Sequence, residues 1–141
     1  MRLTVENCSL INSKSICIHD YIVIGLVYKY SDDKIKLYLK EPISNVNYEI
    51  EFDNVLGFKA ITCDFWGSSP HVLDWEVQPK EEHEIVKEIC EKQLQYRYTE
   101  SKWNPNKEYI ESVITLSSGD IFSFVCEQIL FSIANNFNMV L

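Results

Sequence analysis

"YIVIGLVYKYSDDKIKLYLK", residues 21–40, alternates with a period of two. Ile22, Ile24, Leu26, Tyr28 and Tyr30 share one side, and Tyr21, Val23, Gly25, Val27 and Lys29 share the other. Successive side chains of a strand point to opposite faces, so a segment apolar on both faces predicts a strand in the middle of a sheet. "YSDDK" then supplies a turn. Beyond it, Ile35, Leu37 and Leu39 alternate with Lys34, Lys36 and Lys40, the pattern of a hairpin partner with one wet face.

The same period runs outward from this hairpin. Tyr48, Ile50 and Phe52 alternate with Glu49 and Glu51; residues 55–65 continue as a strand; Leu73, Trp75 and Val77 alternate with Val72, Asp74 and Glu76. Near the C-terminus, "YIESVITLSSGDIFSFVC" predicts a second hairpin turning at Ser-Gly-Asp. "FDNVLGF" (52–58) and "CEQILF" (126–131) each read as strand, bend, strand. The last residues, Asn-rich, are expected to fray.

One segment has a helical period. After Pro79, suited to a first helical turn, "KEEHEIVKEICEKQLQY" sets Ile85, Val86, Ile89 and Cys90 on one stripe, with Glu81, Glu82 and Glu84 where the helix dipole favours anions. The expectation is one amphipathic helix at about 79–97 covering a sheet. "TESKWNPNKE" reads as a loop. The fold class is therefore α+β, mainly antiparallel β, arranged as a sandwich or half-barrel, and the 141 residues match one domain, 1–141.

Charge and cysteine usage narrow the function classes. Thirteen basic against twenty-one acidic side chains leave a net charge of −8, which repels phosphate backbones and speaks against nucleic-acid binding. "MRLTVENCSL" lacks the apolar core of a secretory signal, and no apolar run is long enough to span a bilayer, so a cytoplasmic protein without membrane association is expected. Cys8, Cys17, Cys63, Cys90 and Cys126 form no C-x-x-C pair and read as free, mostly buried thiols. No phosphate-binding glycine pattern occurs, and no cofactor is expected.

The densest concentration of chemistry-bearing residues is "CDFWGSSPHVLDW", 63–75. Cys63, His71 and Asp74 are the residue types of a small hydrolase, but Cys63 sits in an apolar strand where a thiol is a small hydrophobe, and no helix N-terminus follows to stabilise a thiolate. Cys63 and Asp64 point to opposite faces, which disfavours a metal site, and His19–Asp20 lacks the further ligands of a metal dyad. Neither a catalytic set nor a metal site is expected. An exposed Trp beside carboxylates is the composition of an interface hot spot. The partner-binding candidates are Asp64, Trp66, His71, Asp74 and Glu76.

"HDYIVIG", "DNVLGFKAITCDFWG" and "SSGDIFSFVCEQILF" together resemble, in general style and loosely over most of the chain, the immunity proteins that accompany polymorphic toxins in bacteria. The resemblance implies a non-catalytic inhibitor that binds a toxin domain and occludes its active site. An acidic surface suits a basic toxin domain. It carries over no site residue. The alternatives are a small hydrolase using Cys63, His71 and Asp74, and a ligand-binding or oligomeric structural module, since exposed sheet edges permit a homodimer.

Overall fold

The computed structural model describes residues 1–12, 16–62, 70–79, 84–96, 103–104 and 106–134. Its elements are β1 (Arg2–Leu3), α1 (Ser9–Asn12), β2 (Ile22–Lys29), β3 (Lys34–Lys40), β4 (Asn47–Asp53), β5 (Gly57–Ile61), β6 (Val72–Pro79), α2 (Glu84–Tyr96), β7 (Ile110–Leu116), β8 (Ile121–Cys126) and β9 (Gln128–Ile133). All strand pairs are antiparallel and form two sheets, ordered β1-β9-β4-β3-β2 and β5-β8-β7-β6. The α+β, mainly antiparallel class read from the sequence is the observed one.

The two expected bends join the sheets. β4 and β9 pair in the first sheet, their continuations β5 and β8 pair in the second, and the two strands bend side by side as they pass between sheets. Main-chain bonds hold the corner: Glu127 N–H donates to the Asp53 carbonyl at 3.1 Å and Leu56 N–H to that of Val125 at 2.8 Å. Such bends are how strands change sheets at the corner of a β-sandwich. At the opposite corner an isolated bridge joins Ile22 to His71, so the sheets approach there without closing a barrel.

Ile35, Leu37, Leu39, Ile50, Phe52 and Ile129 from the first sheet meet Trp75, Val77, Ile110, Ile114 and Phe124 from the second in one core. Phe52 and Phe124, both fully buried, stack across the sheets with ring centroids 3.8 Å apart and 7° between planes. The lysines of β3 occupy the outer face as expected, Lys36 lying 2.8 Å from Glu49 and 3.7 Å from Glu51. The Ser-Gly-Asp turn forms between β7 and β8, with Gly119 at φ 94°.

Three expectations need correction. β2 is the edge of its sheet, not the middle, and its faces switch at a bulge between Val23 and Gly25, so that Tyr21 and Val23, rather than Ile22 and Ile24, pack on the core with Leu26 and Tyr28, while Val27 and Tyr30 are exposed; its N-terminal end is bonded to the neighbourhood of β6. Pro79 ends β6 and pairs with Ile110, so it does not start the helix; β6 is an edge strand, where a missing N–H is tolerated. The described helix spans Glu84–Tyr96, with 80–83 and 97 outside the described residues. Its apolar stripe is the expected one: Ile85 and Val86 pack with Leu56, Tyr109 and Val125, flanked by Ile89 and Cys90. Third, Leu73 does not share a face with Trp75 and Val77. A bulge between Val72 and Asp74 inserts one extra residue, which buries Val72, Trp75 and Val77 and leaves Leu73 52% exposed.

The one-turn helix α1 and the short strand β1 carry no period long enough to be read in the sequence. Of the strand expected at 55–65, Gly57–Ile61 forms; 55 and 56 belong to the bend after β4, 62 is not strand, and 63–65 lie outside the described residues.

Candidate partner-binding site

The bulge gives β6 its surface. Trp75 turns inward, its indole Nε1 donating to Ser112 Oγ at 2.8 Å and its ring centroid 6.2 Å from that of Phe131. Leu73, Asp74 and Glu76 all remain exposed. Asp74 and Glu76 project from the outer face of the sheet, level with Thr115 and Val113 of β7.

Two clamps cover the free edge of β6 at its ends. Near the start, Val72 N–H donates to the Tyr21 carbonyl, and the Val72 carbonyl accepts from Asp20 N–H, both at 2.8 Å. Near the finish, the Asn12 side chain imitates a neighbouring strand: its Nδ2 donates to the Val77 carbonyl at 2.6 Å, and its Oδ1 accepts from Val77 N–H at 3.1 Å. Between the clamps the edge borders a cleft of about 850 Å³, walled by Ile11, Ile16, Cys17 and His19 on one side and Leu73–Glu76 on the other.

The edge carries negative charge beside its apolar surface. Several acids are matched by lysines: Glu49 and Glu51 by Lys36, Glu84 and Glu88 by Lys59, Glu127 by Lys107. Asp74 and Glu76 have no ion-pair partner among the described residues. The two charges therefore face solvent uncompensated, beside an exposed leucine.

Of the residues singled out in the sequence, Cys63, Asp64 and Trp66 lie outside the described residues. His71 is half-buried and belongs to a separate shallow depression with Asp20, Pro42 and Ser117, its carbonyl accepting from Ser117 N–H at 2.8 Å. His71 and Asp74 thus line different cavities. His19 Nδ1 lies 3.1 Å from Asp20 Oδ2, and both side chains are exposed. Among the described residues no group of three or more His, Cys, Asp or Glu side chains is placed to hold a metal ion.

The thiols divide by environment. Burial pushes the Cys8 and Cys126 thiols up, which leaves them protonated and unreactive; Cys90 is half-buried, and Cys17 is exposed at the cleft. Sequence reasoning found Asp74 and Glu76 but missed Leu73, Asn12 and the opposing wall at 16–19. The first depends on a bulge and the others on long-range contacts, for which the local pattern holds no signal.

No protein-family model matches the chain, and no curated protein matches it. Among solved structures, the crystal structure of an uncharacterized protein from Neisseria gonorrhoeae aligns with 94% of this chain and 97% of its own at 16% identity and a TM-score of 0.43, a likeness too loose to carry an argument. No described helix is long and apolar enough to cross a membrane.

Proposed function

We propose that the protein is a non-catalytic protein-binding module, an immunity-type inhibitor that occludes a basic toxin domain in the cytoplasm. The observation that carries this reading is the uncompensated pair Asp74 and Glu76 beside exposed Leu73 on the rim of an edge strand. An apolar anchor ringed by charge is the composition of an interface patch, and acids without an internal partner are available to a cationic one. The net charge of −8 would speed encounter with such a partner at low salt. Asp64 and Trp66 remain proposed contacts by their sequence proximity to this strand, and His71 by its own.

Affinity capture of the tagged protein from its native cytosol at low salt tests the reading. One stoichiometric basic protein, released by a salt wash and inhibited when recombined with the purified chain, is the expected result. Empty capture from cells that make basic toxin domains, or a captured protein whose activity is unchanged on recombination, would contradict it. The rival hydrolase reading predicts turnover that Cys63→Ser abolishes.

A further inference from the structure

Strand hydrogen bonding alternates in direction from residue to residue, so the clamp at Val77 fixes where its neighbours point. Both main-chain groups of Val77 face Asn12, away from β7; those of Glu76 therefore face β7, and those of Trp75 face outward again. Among the described residues, nothing outside β6 and β7 is hydrogen-bonded to the main chain of Trp75. The gap between the Val72 and Val77 clamps is roughly 16 Å long at about 3.3 Å per residue, enough for a few extended residues. It opens on a cleft whose volume is in the range of sites that hold ligands.

We propose that this free edge at Trp75 accepts a short extended segment of the partner as an added strand, with basic and apolar residues alternating. This rests on the reading above that the acidic edge binds a basic protein, and specifies how. A residue paired with Trp75 sends its side chain to the inner side, where Ile11, Ile16 and Ile18 line the cleft. Its two neighbours fall opposite Asp74 and Glu76 on the outer face, where a lysine or arginine meets an unpaired carboxylate. The same geometry disfavours a second copy of this chain, because joining β6 to β6 sets Asp74 and Glu76 against their own copies and like charges across strands repel.

The test uses the intact protein and a capped hexapeptide of alternating arginine and valine, with an analogue N-methylated at every valine and a control carrying glutamate for arginine. N-methylation removes the donors that an added strand would offer and leaves the protein untouched, so folding is not at issue. The arginine peptide is expected to bind and to slow hydrogen exchange at the Trp75 amide, the N-methylated analogue to bind about five-fold more weakly or worse, and the glutamate peptide not to bind. Asp74→Lys with Glu76→Lys, both exposed, is expected to weaken binding and flatten its salt dependence. Absence of binding overturns the proposal. So does binding indifferent to N-methylation with Trp75 exchange unchanged, which would leave the acidic face as a side-chain contact and the partner-binding reading intact. A concentration-dependent dimer that protects Trp75 without peptide overturns it in favour of self-association.

Discussion

Burial, and then the negative charge of Asp53 beside it, raise the carboxyl of Glu51 above its ordinary 4.5, against the opposing pull of Lys34 and Lys36. A raised folded-state value means that the native protein holds this proton to a higher pH than the unfolded chain does. The stability contributed is complete below the unfolded value and is lost as pH rises through the folded one. At neutral pH the charged Glu51 is therefore a liability, and the main partner of Lys36 is Glu49 rather than Glu51. Glu51→Gln is expected to be more stable than wild type at pH 7, with the advantage shrinking as pH falls through the raised folded-state value and gone once pH is below the ordinary 4.5, as measured by urea denaturation across that range. A second single-residue constraint is steric. A Cβ on Gly57 would stand 2.1 Å from Cγ2 of Ile85, a branched side chain fixed close to the helix backbone, so α2 must shift. Gly57→Ala is expected to cost about 1–3 kcal/mol, read by chemical denaturation, because overpacking a tight contact forces backbone movement.

At the scale of elements, β6 shows both how far the sequence could be read and where it stopped. Its burial partners Trp75 and Val77 follow from alternation, as do the hairpins β2–β3 and β7–β8 and the apolar stripe of α2. The bulge that exposes Leu73 does not, because an extra residue in a strand leaves the composition unchanged and is fixed by what pairs across it. Edge position is equally silent: β2 is apolar enough for a central strand, yet its cover comes from half-burial and from contacts with the start of β6. Of the candidate site, two carboxylates were legible and their setting was not. The Asn12 clamp makes a prediction of its own. Asn12→Ala leaves Val77 N–H and C=O without their described partner, at an expected cost of about 1–2 kcal/mol, and lengthens the open edge. Faster hydrogen exchange at Val77 and a greater tendency to self-associate are the measurable consequences.

For the whole molecule, the two sheets are held face to face by one core whose centre is the Phe52–Phe124 stack. Phe124→Ala is expected to destabilise by about 3–5 kcal/mol, by lost transfer energy and the cavity left between sheets, in a denaturation followed by both fluorescence and far-UV circular dichroism. Lysines on β3, β5 and the segment before β7 neutralise acids near them, while the exposed edge of β6 keeps its negative charge. On the proposed reading the pair on β6 matters by its place at an open strand edge, whereas solubility asks only for net charge and is indifferent to where it lies. Titration of a captured basic toxin domain with wild-type protein and with the Asp74→Lys, Glu76→Lys double variant, read as residual toxin activity, tests this claim most directly. The account predicts complete inhibition near one equivalent of wild type and a requirement for at least about 30-fold more of the variant, in line with the loss of paired interfacial charges. Equal inhibition by the two proteins would contradict the placement of the site on β6, and no inhibition by wild type would contradict the inhibitor itself.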